Sequence, residues 1–304
     1  MRIVLALGPS VCLPKGGSAT TAALRTGVDR VAAMLEPLIR EHEVLIAMGS
    51  GPHAESLFLE ITEDGVEGSP GPDGGGSAID ELVGYLLEQA LRRAVPALDV
   101  AEVLTSCIVD RDDPEFDRPT LRVGPLLDPD AARRLAGERG VAVAPDDGGY
   151  RRIVPSPQPR GVLEAAALVT LIESGITVIA SGGAGVPVVL DSFGRPRPAE
   201  GVVDPDRAAG AIAAALGADA LALLTDVDAV YRDFGTAHAT PLRRVTPREA
   251  GDLVASGEVG TTGMGPKLDA ARRFAETGGF AVIAAVDDVA AAMRRTAGTR
   301  IVLP

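Results

Sequence analysis

The sequence predicts an α/β protein whose mainly parallel sheet is covered by helices on both faces. Short apolar, β-branched runs alternate with longer stretches of helical periodicity, the pattern of successive βαβ units. Hydrophobic residues make up 46% of the 304 residues but aromatics only 3%, so the core must be built from Ala, Val, Leu and Ile. Those side chains suit helices packed on a parallel sheet. Glycine-rich turns follow several of the apolar runs, where such a sheet hands its strands over to helices.

The elements follow in order. Residues 3–7 read as a strand that stops at Gly8-Pro9, and 20–40 as a helix with apolar positions at helical spacing. Residues 43–48 form a strand running into Gly49-Ser50-Gly51-Pro52; 78–93 form a helix and 101–109 a strand. Between 64 and 77 the text DGVEGSPGPDGGGS has the composition of a flexible loop. After Gly161 the alternation resumes: a helix over 162–174, a strand over 177–180, a helix over 206–216 and a strand over 220–224. Helices over 246–256 and 267–277 precede a strand over 280–284 and a closing strand over 300–303. The middle, residues 110–160, is rich in Pro, Asp and Arg with weak periodicity apart from one short helix. It reads as an excursion from the sheet, a lid subdomain within a single domain spanning 1–304.

The formal net charge of -13 argues against a nucleic-acid or anionic-membrane surface, while leaving room for a small anion in a local basic pocket. The apolar run at the N-terminus is too short for a signal-peptide core, and no uninterrupted apolar stretch of about 18 residues occurs. A cytoplasmic protein is the expectation. Cys12 and Cys107 offer no disulfide framework or zinc spacing, and His42, His53 and His238 show no metal spacing.

Four loops have the character of anion cradles: Gly8-Pro9-Ser10, Gly49-Ser50-Gly51, Ser181-Gly182-Gly183-Ala184-Gly185 and the turn 262–267. Glycine lets backbone N–H groups approach an anion closely, and a helix N-terminus adds favourable potential. None is a Walker A or GxGxxG motif, and no GxSxG elbow occurs, so dinucleotide binding and triad hydrolysis are disfavoured. Lys267 is one of only two lysines, with Lys15, in a chain of 27 arginines, and it sits in TTGMGPKLDAA (261–271). A lysine is a compact point charge able to follow a phosphate oxygen through transfer, which an arginine fork copies poorly. Its place at the start of a helix fits phosphoryl transfer, where positioning and charge do most of the work. A solvated first-turn lysine is the plainer alternative. The stretch LLTDVDAVY (223–231) runs an apolar strand into a Thr-Asp-x-Asp loop, suited to hydroxyls or a metal phosphate, or to a simple capped turn.

In chain order, VGYLLEQAL, DDPEF, YRRIVPSPQP, SGGAGVPVV, LTDVDAVY and GMGPKLDAA resemble the segments of the carbamate kinases, in the amino acid kinase family, over nearly the whole chain. The resemblance implies a three-layer αβα sandwich with a mainly parallel eight-stranded sheet, a protruding lid, a homodimer, and ATP or ADP with Mg2+. It implies that Thr225, Asp226, Val227, Tyr231, Met264, Gly265 and Pro266, with Gly182 and Gly183, bind the nucleotide, and that Lys267 touches its phosphates. Asp206 takes the family's organising carboxylate role. Gly8, Ser10, Gly49, Ser50, Gly51 and Arg152 fall on the acceptor side. The chain departs from the pattern at that side. The family's Gly-Gly-Asn is Gly8-Pro9-Ser10, where Pro9 lacks an N–H, and its His-Gly-Asn-Gly-Pro-Gln is Met48-Gly49-Ser50-Gly51-Pro52-His53. Its Asp-Lys-Asp is Asp204-Pro205-Asp206, and its Pro-Thr-Lys is Pro119-Thr120-Leu121. Two family lysines are thus replaced, at Pro205 and Leu121. Lys15 and Arg122 are the candidate replacement cations, with Arg151 and Arg152 next.

Three functions follow. The first is an ATP-dependent kinase for a small carboxylate- or carbamate-like metabolite other than plain carbamate. The second is a pseudo-enzyme or partner subunit binding nucleotide or acyl phosphate. The third is a true carbamate kinase with compensating arginines.

Overall fold

Every residue of strand β1 (Arg2–Leu7) after the first is buried, and its side chains divide between two separate cores. Ile3, Leu5 and Leu7 join one cluster; Val4 and Ala6 join the other. Successive strand side chains point to opposite faces, so a run apolar at every position can be stable only between two helical layers. The computed structural model of the protein describes residues 1–12, 21–49, 72–139, 141–146, 148–260 and 263–303.

After β1 come a 3-10 turn (Pro9–Cys12), α1 (Thr21–Glu41), β2 (Glu43–Met48), α2 (Pro72–Ala94) and β3 (Val100–Val109). Next are α3 (Pro114–Asp117), β4 (Leu121–Leu127), α4 (Pro129–Arg139), β5 (Val143–Asp146), β6 (Gly149–Val154) and β7 (Pro159–Val162). Then follow α5 (Ala165–Glu173), β8 (Thr177–Leu190), β9 (Pro196–Pro198), α6 (Pro205–Ala215), β10 (Ala220–Thr225), β11 (Val230–Arg232), β12 (Thr240–Leu242) and β13 (Arg244–Val245). The chain closes with α7 (Pro247–Ala255), α8 (Met264–Glu276), β14 (Phe280–Ala285), α9 (Val289–Met293) and β15 (Thr299–Ile301).

Among the described residues one ten-stranded sheet runs β13-β15-β14-β10-β1-β2-β8-β3-β7, with β9 paired to β8. Its centre, β14-β10-β1-β2-β8-β3, is parallel throughout. One face packs on α1, α2 and α9 through Leu24, Val31, Leu35, Leu87 and Val289; the other packs on α5, α6, α7 and α8 through Leu168, Ile212, Leu253, Leu268 and Phe274. Each such side chain fully withdrawn from water contributes about 1.5–3 kcal/mol before entropy is counted. The result is the three-layer αβα sandwich.

Three details differ from the sequence reading. The sheet has ten strands where the resemblance implied eight and the periodicity marked seven; β7, β9 and β13 escaped because they are short and lie in Pro- and Arg-rich text whose backbone pairs without an apolar signature. The expected loop at 181–185 belongs to a single strand, β8, and appears there as a bulge. Between the pairs Leu104–Ser181 and Ser106–Val186, four residues of β8 stand against the single Thr105 of β3. The expected loop over 64–77 falls outside the described residues up to 71, and from Pro72 onward the chain is helical. Proline at a first helical position loses no hydrogen bond that the helix would otherwise make.

Residues 121–154 build a separate three-stranded antiparallel sheet, β4-β6-β5, with α4 against it. Arg151 braces this sheet from within: its Nε lies 2.7 Å from Asp146 Oδ2, and its Nη1 donates to the Gly124 carbonyl. No helix of the described residues is long and apolar enough to cross a membrane.

Candidate active site

The registers align the carboxyl ends of the central strands. Leu7 at the end of β1 stands opposite Met48 of β2 on one side and Leu224 of β10 on the other. Gly8, Gly49 and Thr225 therefore follow these aligned residues side by side, with Thr225 still paired to Ala285 of β14. In an open α/β sheet this edge is where ligands bind.

Two helices approach it. The N-terminus of α6 is capped by Asp204, whose Oδ1 accepts from the backbone N–H of Asp206 at 3.0 Å and of Arg207 at 3.3 Å, with Pro205 at the first helical position. The cap sends the Asp206 side chain toward α8. There the Lys267 ammonium donates to both carboxylate oxygens of Asp206, at 2.7 and 2.9 Å. Both side chains are largely withdrawn from water, 16% and 9% exposed, so the pair is screened far less than a surface ion pair. A small cleft of about 20 Å³ beside them is lined by Gly8, Gly49, Pro205, Asp206 and Lys267 with Ala6, Leu7 and Ala47. Four residues singled out in the sequence, Gly8, Gly49, Asp206 and Lys267, are thus brought together from four segments. The Gly49 N–H is donated to the Leu7 carbonyl at 3.1 Å, so Gly49 serves the cleft as a side-chain-free wall.

Asp204 completes a buried charged group. Burial, with Asp206 beside it, pushes its carboxyl up to about 6, against the opposing pull of Lys267 and Arg207. The start of α8 is fixed by a close approach. A Cβ on Gly265 would stand 2.1 Å from the Gly260 carbonyl oxygen, so only glycine lets the turn before Lys267 close. Gly263 before it holds φ at 70°, the left-handed region.

A second, larger cleft of about 330 Å³ opens between the small sheet and α8. It is lined by Thr120, Leu121, Arg122, Ser156, Asp204, Arg207, Gly265 and Pro266, among others. Arg122, Gly265 and Pro266 thus line one cleft, and the Arg122 Nε donates to the Pro145 carbonyl at 3.1 Å. Arg152 stands in β6, opposite Val123 and Val143.

The remaining candidates sit elsewhere around this edge. Thr225 Oγ1 lies 3.3 Å from Asp226 Oδ1 at the end of β10, with Val227 next. Tyr231 of β11 donates its hydroxyl to Asp228 Oδ1 at 2.7 Å, and Arg243 donates to the other oxygen at 2.9 Å. The hydrogen bond from Tyr231 holds Asp228 below the usual carboxylate range, and the same bond raises the tyrosine. Met264 begins α8 and packs on the second core. Gly182 and Gly183 lie in the β8 bulge, and the Ser10 backbone in the 3-10 turn after β1. Lys15, Ser50 and Gly51 lie outside the described residues. Sequence reasoning missed Arg207 and Asp204 as members of the site. The available signal was their position on either side of Pro205-Asp206.

Among the described residues no group of three or more His, Cys, Asp or Glu side chains could hold a metal ion. The protein side chains described here therefore do not form a magnesium cage.

Comparison with known proteins agrees with this architecture. The model of the amino acid kinase family matches residues 1–284. The carbamate kinase of Halobacterium salinarum is 40% identical, the match covering 98% of this chain and 97% of that protein. The Pyrococcus horikoshii carbamate kinase is 37% identical, over 99% and 98%. Among solved structures, Giardia lamblia carbamate kinase bound to AMP-PNP superposes with a TM-score of 0.86 at 26% identity, covering 100% of this chain and 98% of that one. With full-length identity of this order and the same layered sheet, the chain belongs to the amino acid kinase family and, within it, to the carbamate kinases.

Proposed function

We propose that this kinase transfers a phosphoryl group between ATP and an oxygen of a small carboxylate- or carbamate-like acceptor, with Lys267 as its central cation. The observation that carries the reading is the Lys267–Asp206 pair, partly desolvated and set against Gly8 and Gly49 at the strand ends. A phosphoryl group in flight spreads negative charge over its oxygens, and a fixed ammonium in a poorly solvated site stabilises that charge strongly. Asp206 holds the ammonium in place, and the glycine walls let a small acceptor come close. The nucleotide reading is supported by the AMP-PNP complex of the Giardia relative, and in this reading the base and ribose lie against Thr225, Asp226, Tyr231 and Met264. Magnesium, where it takes part, arrives on the phosphates, as this ion commonly does. The small antiparallel sheet over 121–154 is the natural lid.

The acceptor side separates two readings. Pro9 and Ser10 in the first loop, and Pro205 and Leu121 where the family has lysines, favour an acceptor other than plain carbamate. Full-length identity of 33–40% to proteins named carbamate kinase favours carbamate itself. The deciding experiment is ATP formation from ADP and carbamoyl phosphate with magnesium, comparing the native chain with Lys267→Ala. ATP made only by the native chain selects carbamate. ADP binding without ATP formation selects an altered acceptor, to be sought by ATP consumption across a panel of small carboxylates. Silence across that panel leaves a nucleotide-binding partner subunit.

A further inference from the structure

A third cleft, of about 400 Å³, lies where the edge strand β7 meets α6 and α8. Helical spacing makes two of its walls. Arg207, Gly210, Ala211 and Ala214 fall on one stripe of α6, and Ala270, Arg273 and Phe274 on one stripe of α8. The helices come close at Gly210, where a Cβ would stand 3.5 Å from the Ala270 Cβ. Beyond that point α6 carries only Ala211, Ala214 and Ala215, too short to fill the gap, and a groove stays open. Gln158, Arg160 and Gly161, in and beside β7, close the third side.

The charge of this cleft is opposite to that of the chain. The protein carries a formal charge of -13, yet three arginines line the cleft and only one carboxylate does. That carboxylate, Glu276, accepts from Arg272 Nη1 at 2.9 Å. Arg273 donates from Nε to Asp269 at 2.9 Å, an aspartate that also accepts from Arg272 at 2.7 Å. The terminal nitrogens of Arg273 make no hydrogen bond among the described residues. Arg207 has a buried Nε without a hydrogen-bond partner and one long contact, 3.5 Å from Nη1 to the Ser156 carbonyl. Arg160 is held at the rim by Asp110 at 2.6 Å. Guanidinium donors left over in a concave place favour an anion, which accepts charge-assisted hydrogen bonds. The alanines and Phe274 beside them offer apolar surface, and an apolar wall with a few convergent polar groups is the usual form of a small-molecule site.

We propose that this cleft is a second ligand site, separate from the one at the strand ends, for a small organic anion with an apolar body. Its carboxylate meets Arg207 and Arg273, and its body lies on the alanine stripe of α6. The site stands independently of the nucleotide reading. Arg207 joins the two regions, since it follows Asp206 directly and lines the cleft of about 330 Å³ as well.

Three probes separate the contributions. Octanoate supplies charge and body, acetate the charge alone, and octylammonium the body with the opposite charge. Their binding to the full chain is measured by calorimetry, with and without ADP, for the native protein, Arg273→Gln, Arg273→Lys and Ala214→Glu. Octanoate should bind the native chain at one site, about tenfold more tightly than either other probe, and stay bound when ADP is added. Arg273→Gln should weaken octanoate about fivefold, while Arg273→Lys stays within about twofold, a rescue by charge that a packing role would not give. Ala214→Glu puts a carboxylate on the exposed stripe and should weaken octanoate about tenfold; it decides the matter should Arg273→Gln fail to fold. A chain that binds octanoate in this way but ignores ADP would keep the site and remove the nucleotide reading. Octylammonium bound as tightly as octanoate would overturn the anion assignment. Octanoate bound unchanged by Ala214→Glu, or displaced by ADP in that variant and the native chain alike, would lie elsewhere and overturn the site. No octanoate binding to the native chain would overturn the proposal, and a fall in sedimentation mass in Ala214→Glu would then give the groove to a second copy of this chain.

Discussion

The Lys267 ammonium reaches across 61 residues of sequence to sit within 2.9 Å of both carboxylate oxygens of Asp206. One residue comes from the first turn of α6 and the other from the first turn of α8, so the pair ties two helix starts together beneath the strand ends. In the proposed function the same contact bears on catalysis as well as on stability, and the two consequences can be separated.

Lys267→Ala should lower turnover by about 10²–10³ with any accepted substrate, the usual cost of removing one donor to developing charge. It should also lower the thermal midpoint by several degrees, because Asp206 is left buried without its counter-charge beside Asp204. Asp206→Asn removes the charge from the partner and should restore much of the midpoint in the double variant while activity stays low. Recovery of activity in the double variant would deny Lys267 a role in transfer.

The raised Asp204 carboxyl implies a pH dependence whose sign is definite. A carboxyl with a folded value near 6 and an ordinary unfolded value binds more protons folded than unfolded in that interval. Its contribution to stability is therefore fully present below the unfolded value and is lost as pH rises to about 6. Asp204→Asn keeps an oxygen to cap Asp206 and Arg207 and removes the ionisation. The difference in thermal midpoint between variant and native protein should move in the variant's favour by a few degrees from pH 4 to pH 7. A pH-independent difference would contradict the assignment.

Glu102 of β3, bonded by Ser181 at the head of the β8 bulge, gives a second case. Burial pushes its carboxyl up to about 7, with Glu88 and Glu81 adding to the rise and a hydrogen bond from Ser181 opposing it. By the same sign argument, stability is lost as pH rises from the ordinary carboxylate value to about 7. Glu102→Gln should flatten the stability profile over that interval. Midpoints measured across pH 4.5 to 8 check this.

Gly265→Ala should be costly in a way that its small size conceals. The added Cβ meets the Gly260 carbonyl oxygen at 2.1 Å, and a backbone oxygen cannot rotate away as a side chain can. A loss of about 1–3 kcal/mol in urea-unfolding free energy is expected. Turnover should fall as well, because the shifted turn carries Lys267. A variant with native stability and native turnover would show that the turn accommodates the methyl group.

Much of this was legible in the sequence, and the reason is periodicity. Runs such as residues 3–7 and 220–224 are apolar at every position, which only a doubly covered parallel strand tolerates, and the helices between them carry their own spacing. The scarcity of lysine marked Lys267 by chemistry alone. What these local signals could not reach was pairing without pattern. Strands β7, β9 and β13 are held by backbone hydrogen bonds that ask little of their side chains, so text rich in proline and arginine concealed them. The bulge in β8 is likewise a matter of register against β3.

The site divides along the same line. Residue chemistry in the sequence singled out Gly8, Gly49 and Lys267 as candidates, and the family resemblance added Asp206, each beside a strand end or helix start. Only the tertiary structure decided which of them meet, and that Asp204 and Arg207 join them. Helix capping at α6 and the glycine contact at the start of α8 aim side chains through backbone geometry. Whether a carboxylate is committed and an arginine left with spare donors depends on partners dozens of residues away, such as Ser156 for Glu115 and Pro145 for Arg122. Chemical type is written residue by residue, whereas satisfaction of donors and acceptors is a property of the folded neighbourhood.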